Sequence, residues 1–159
     1  MEFHNVAPIY NENSTILILG SFPSVASREG GFFYHHPQNR FWKVIAHLCD
    51  CPVPTTIAQK KQILLQHHIA LWDVIQSCAI VGSSDQSIEN VVVNNLAPII
   101  ACSRIQQVFT NGTLATKLYR QHIENKINIK ATSLPSTSSA NARYSLEQLQ
   151  TVWKEKIMI

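Results

Sequence analysis

The sequence predicts an α/β protein, a three-layer α/β/α sandwich on a central parallel sheet of about four strands. Three observations carry that expectation. Four short β-rich runs recur along the chain, helix-patterned stretches separate them, and the runs are hydrophobic without alternation. Unbroken apolar runs suit strands covered on both faces, the situation in a parallel sheet flanked by helices. The 159 residues fit one domain, 1–159, and 45% hydrophobic against 14% charged residues argues against disorder.

The first strand is expected over 15–21 (TILILGS). Phe41, Val44, Ile45, Leu48 and Cys49 then fall at helical spacing, giving an amphipathic helix. A weaker helix pattern spans 56–67, before the second strand at 69–75 (IALWDVI). Periodicity over 88–101 predicts a helix broken or split at Pro98. A third strand, 105–111, leads past Gly112 into a helix over 113–123, and a fourth strand covers 127–134. Ser145-Leu146-Glu147-Gln148 reads as a capping box opening the last helix, through Leu149, Val152 and Trp153. Ligands of such sheets sit beyond the carboxyl ends of the strands, which singles out the loops 20–39, 73–87 and 133–143.

The formal charge of +3 is unevenly spread. From Lys117 onward, Lys117, Arg120, Lys126, Lys130, Arg143, Lys154 and Lys156 face only Glu124, Glu147 and Glu155, whereas the first 116 residues are near neutral. A basic last third suits contact with a polyanion, and equally a solvated helix face. Cys49, Cys51, Cys78 and Cys102 have no zinc or iron–sulfur spacing and read as buried or semi-buried thiols in a reducing compartment. The pairs His35-His36 and His67-His68 do not suit one ion, because adjacent histidines rarely converge, so no metal and no cofactor is expected. No apolar run is long enough to span a membrane and no basic-then-apolar leader opens the chain. A soluble, cytoplasmic protein without membrane association is expected, nucleoid-associated if prokaryotic.

Three motifs carry chemistry. Gly20-Ser21-Phe22-Pro23-Ser24 makes a turn whose backbone N–H groups suit a carbonyl or phosphate. Phe32-Phe33-Tyr34-His35, then His36-Pro37-Gln38-Asn39-Arg40-Phe41-Trp42, bring aromatics suited to stacking on a flat base. Local rules make Asn39 a helix cap as readily as a functional amide. Pro135-Ser136-Thr137-Ser138-Ser139-Ala140-Asn141-Ala142-Arg143 is either a phosphate-binding loop or a solvated connector.

In order and spacing these motifs resemble the uracil-DNA glycosylase superfamily, and within it the hypoxanthine-DNA (deoxyinosine) glycosylase branch. Leu71-Trp72-Asp73-Val74-Ile75, Gly82-Ser83-Ser84-Asp85 and Asn111-Gly112 resemble that branch too, so the likeness covers nearly the whole chain. It implies a DNA glycosylase for a deaminated base, hypoxanthine favoured, with uracil or mismatch-specific cleavage and non-catalytic damage recognition as alternatives. The implied partner is damaged double-stranded DNA, with single strands an open alternative, and the implied state is a monomer. The backbone of Gly20, Ser21, Phe22, Pro23 and Ser24 would then hold the base, Tyr34 would stack on it, and Asn111 would offer an amide. Ser136, Thr137, Ser138, Ser139 and Arg143 would contact DNA. Many relatives carry a catalytic Asp or Asn where this chain has Phe22, which cannot hydrogen-bond through its side chain. The resemblance passes the catalytic role to Asn39, whose carbonyl oxygen is expected to orient water.

Overall fold

The computed structural model describes residues 1–158. The chain starts with β1 (Glu2–Phe3), and an extended segment bridged at Ile9 to Leu71 leads into β2 (Ile16–Gly20). Then come α1 (Val25–Gly30), α2 (Phe41–Leu48), α3 (Ile57–Gln66), β3 (Ile69–Asp73) and β4 (Ile75–Ala79). A 3-10 turn over Asp85–Ser87 precedes β5 (Glu89–Val93), α4 (Ala97–Ala101), β6 (Gln107–Asn111) and α5 (Thr113–His122). The chain closes with α6 (Glu124–Ile127), β7 (Ala131–Leu134) and α7 (Leu146–Lys156).

The expected four-stranded parallel sheet is present, in the order β3-β2-β6-β7. All five residues of β2 are buried, which explains its unalternating hydrophobicity. Ile16 and Ile18 join Phe41 and Ile45 of α2, Leu64 of α3 and Trp153 of α7 in one core cluster. Leu17 and Leu19 join Ile99 of α4 with Ala115, Leu118 and Tyr119 of α5 in another. Each fully buried aliphatic side chain contributes roughly 1.5–3 kcal/mol. The sheet is thus the middle layer of three.

Four details depart from the sequence expectations. The stretch 88–101 is not one interrupted helix: Glu89–Val93 pairs antiparallel with β4, and with β1 these strands form a second sheet. Val91, Val92 and Val93 are β-branched and favour a pleated strand, and helix starts only at Ala97, with Pro98 in its first turn. The strand expected over 69–75 ends at Asp73, where the chain bends into β4. Buried Asn94 satisfies that bend, its backbone N–H donating to Val74 O and its Nδ2 to Asp73 O and Ile75 O. The strand expected over 127–134 begins only at Ala131, because Ile127 closes α6 and Asn128 takes a left-handed conformation. Cys102 is exposed rather than buried, since it caps a one-turn helix at the surface; Cys78 is buried, and Cys49 and Cys51 are half-buried. Among the described residues no helix is long and apolar enough to cross a membrane.

Candidate active site

Because the four strands run parallel, Gly20, Asp73, Asn111 and Leu134 finish at one edge of the sheet, and the motif loops meet there. In the first loop most polar groups hold the loop itself. Gly20 O and Ser21 O accept from the N–H groups of Val74 and Ile75, and Pro23 O accepts from Arg28 Nη1. Ser24 Oγ caps α1 by accepting from Ser27 N–H, and Ser21 Oγ donates to Asp85 at 3.2 Å. The Phe22 ring is buried edge-on to His4 and beneath the Arg28 guanidinium. What the motif leaves for a ligand are the backbone N–H groups of Ser21, Phe22 and Ser24, which donate to no group among the described residues.

Gly20 lies beneath two oxygen atoms. A Cβ here would stand 2.7 Å from Tyr34 Oη and closer still to Asp73 Oδ1, so only glycine leaves room for them. Tyr34 has a left-handed backbone, φ 50°, and its ring stacks on Phe41 with centroids 4.0 Å apart. One ring face is therefore already covered. Its hydroxyl accepts from Asn111 Nδ2 at 3.1 Å. Burial, and next the Asp73 carboxylate, push the phenol's pKa well up against the opposing Asn111 hydrogen bond, so it stays neutral.

Asn39 begins α2 as local rules suggest, its Oδ1 accepting from Phe41 N–H at 2.9 Å. The same oxygen accepts from Thr137 Oγ1 at 3.0 Å. An amide oxygen has two lone pairs and both are engaged, so water orientation through this oxygen, as expected from sequence, is not available in this arrangement. The acceptor can be assigned because a backbone N–H must meet oxygen, not the amide nitrogen. Nδ2 remains as the side chain's donor.

Thr137 was expected to touch DNA, yet it is fully buried. Its backbone N–H donates to Asn111 Oδ1, its hydroxyl accepts from Asn111 Nδ2 and donates to Asn39 Oδ1, and its carbonyl accepts from Arg40 N–H. It joins three segments and has no surface to offer a ligand. Arg40 completes the support: its guanidinium donates to the carbonyls of Tyr144 (2.5 Å), Ser138 (2.7 Å) and Asn141 (3.0 Å), and Nε donates to Thr137 O. Ser136 and Ser138 are half-buried and accept from backbone N–H groups two residues on, while Ser139 and Arg143 are exposed.

Sequence reasoning missed two acids and a histidine. Asp73 is 3% exposed and its Oδ2 lies 2.7 Å from His4 Nε2. His4 Nδ1 accepts from Val6 N–H, so the ring proton sits on Nε2 and is donated to the carboxylate. Asp85 accepts from Ser21 Oγ, and burial raises its pKa against the opposing effect of that hydrogen bond. The one available signal was an Asp ending a strand at the ligand edge; His4 lies 69 residues away and gave none. Among the described residues no three His, Cys, Asp or Glu side chains are placed to share an ion.

The chain matches the model of the Uracil DNA glycosylase superfamily over residues 7–156. It is 30% identical over 139 residues to a protein of Methanosarcina acetivorans named Hypoxanthine DNA glycosylase, covering 86% of this chain and 87% of that one. A protein of the same name from Methanosarcina barkeri is 27% identical over 157 residues, with 98% of each chain covered. The solution NMR structure of a Methanosarcina acetivorans protein, described as a candidate uracil DNA glycosylase, superposes with a TM-score of 0.81 at 27% identity, covering 98% of both chains. The motif loops gathered at the carboxyl edge of a helix-flanked parallel sheet, and a match running almost end to end, agree: this chain belongs to the uracil DNA glycosylase superfamily.

Proposed function

We propose that the chain is a monofunctional DNA glycosylase, acting as a monomer in base excision repair. It flips a deaminated base, hypoxanthine preferred, from damaged duplex DNA and hydrolyses its N-glycosidic bond. The observation that carries the reading is a hydrogen-bonded chain from Asn39 through Thr137 and Asn111 to Tyr34, lying over Gly20 at the sheet edge. Support for hypoxanthine comes from the names borne by two relatives that cover most of the chain. Uracil is the second reading, favoured by the Asn111 amide, which has one N–H directed to the Tyr34 hydroxyl. Such an enzyme works on chromosomal DNA, in the cytoplasm and at the nucleoid of a prokaryote.

Glycosidic cleavage develops positive charge on the sugar and negative charge on the departing base. Donors fixed before the reaction suit the base: the Phe22 and Ser24 N–H groups and Asn39 Nδ2. The exposed Ser139 and Arg143 contact the DNA backbone, while Ser136 and Ser138 shape the loop that fills the vacated stack. The test is single-turnover base release from duplexes carrying hypoxanthine, uracil, xanthine or mismatched thymine. Hypoxanthine should leave fastest, and Asn39→Ala should lose at least about a hundredfold in rate, roughly 2.7 kcal/mol, while still binding DNA. Release from none of the four duplexes by the wild-type protein would end the glycosylase reading.

A further inference from the structure

The first motif has its carbonyls held from behind. Gly20 O and Ser21 O accept from the N–H groups of Val74 and Ile75, and Pro23 O accepts from Arg28 Nη1 at 2.9 Å. Each peptide of the motif is trans and planar, so an N–H points opposite to the carbonyl that shares its plane. The free N–H groups of Ser21 and Phe22 therefore point away from Val74 and Ile75, and the free N–H of Ser24 points away from Arg28. Pro23 has no N–H to offer. What stands behind these donors differs: neutral peptides back Ser21 and Phe22, and a cation backs Ser24.

The head of Arg28 is held in place by contacts on several sides. Nη1 donates to Pro23 O, Nη2 donates to Gly82 O at 3.2 Å, and the guanidinium carbon lies 5.4 Å from the centroid of the Phe22 ring. Asn5 Nδ2 fastens the same residue by its backbone, donating to Arg28 O at 2.7 Å. Among the described residues Arg28 forms no ion pair, so no carboxylate in contact cancels its charge. A guanidinium keeps that charge throughout the physiological pH range. Phe22, whose side chain makes no hydrogen bond, is the ring face on which the cation rests.

We propose that Arg28 is a positioning residue for base release: it fixes and polarises the peptide between Pro23 and Ser24, so that the Ser24 N–H meets the negative charge growing on the departing base as a strengthened donor. The inference rests on the glycosylase reading and adds a residue to its machinery. A carbonyl that accepts a charge-assisted hydrogen bond draws electron density from its own amide nitrogen, and the N–H beyond it becomes a stronger donor. The guanidinium itself never touches the base. Charge on the base is small before cleavage and large in the transition state, so the polarised N–H favours cleavage more than binding.

The experiment compares Arg28→Lys, Arg28→Gln and Arg28→Met with wild type. Single-turnover release from a hypoxanthine duplex should fall about tenfold or more in Arg28→Gln, which keeps an N–H for Pro23 O but no charge. Arg28→Met should fall at least as far, and Arg28→Lys should recover most of the rate. Binding of a duplex with an uncleavable 2′-fluorinated hypoxanthine nucleotide should stay within about threefold of wild type throughout. A merely structural arginine would lose binding together with rate and would show no rescue by lysine. In the DNA-free protein, base-catalysed hydrogen exchange at the Ser24 N–H should outpace that at Phe22 after correction for local sequence, because a polarised amide is more acidic. That excess should vanish in Arg28→Gln and persist in Arg28→Lys. Wild-type release rates in Arg28→Gln at matched Tm, or no excess exchange at Ser24 in the wild type, which requires no variant to fold, overturns the inference. Absence of base release by the wild type with the exchange excess intact would instead sink the glycosylase reading and leave only the polarised peptide standing.

Discussion

At the scale of single residues, Asn39 shows why local rules divide on one side chain. An asparagine before an amphipathic stripe is a good cap, and the cap bond to Phe41 N–H is there. Its second bond, to Thr137, spans 98 residues and leaves no trace in local sequence. Capping and chemistry are divided between the two ends of the amide, acceptor inward and donor available. Asn39→Asp separates them, because a carboxylate keeps both inward bonds and loses the Nδ2–H groups. Its Tm should stay within about 2 °C of wild type while single-turnover release falls at least tenfold. A variant as active as wild type would move catalysis away from Nδ2. The residues hardest to read in advance, His4 and Thr137, act only through partners distant in sequence.

Among the elements, those with strong local signals were legible. The helix of Phe41–Leu48, the Ser145 capping box and the buried strand Ile16–Gly20 all form where periodicity and capping chemistry put them. The error at 88–101 came from periodicity overriding β-branching, settled in the structure by pairing with a strand that is itself a bend away from the main sheet. The serine-rich loop after Leu134, which from sequence suits a phosphate-binding loop or a solvated connector, is held by Arg40, whose guanidinium meets carbonyls at Thr137, Ser138, Asn141 and Tyr144. Charge-assisted hydrogen bonds contribute about 1.5–3 kcal/mol each at most, and they share one side chain. Arg40→Ala should lower stability by about 2–4 kcal/mol in denaturant titrations. It should also speed protease cleavage between Ser138 and Tyr144, whereas unchanged cleavage would show the loop to be ordered without the clamp.

For the whole molecule, the basic last third and the sheet edge belong to one surface argument. The parallel sheet gathers its loops on one side, and Arg143 stands exposed in the loop that follows Leu134. A shallow depression of about 470 Å³ beside α5, lined in part by Lys117 and Arg120, adds cations that precede Arg143 in the chain. Each phosphate contact releases bound counterions, so Arg143→Ala should reduce the slope of log binding constant against log salt by about 0.9. Equal slopes would leave Arg143 as a solvated cation with no phosphate partner. Composition could show that cations cluster late in the chain, and the fold was needed to show which of them reach the loop edge.

The left-handed Tyr34, seated over Gly20, has a consequence for how the protein searches a genome. A scanning protein meets vast numbers of intact bases for each lesion, and an empty slot would detain it at many of them. Here the Tyr34 hydroxyl already fills the place over Gly20, so a base entering there would gain only the difference between its own hydrogen bonds and those of the phenol it displaced. The apparent affinity for any flipped base is scaled down by the fraction of time the phenol is absent. A base that cannot displace the phenol is released before it slows the search, and only one that does stays long enough to be cut.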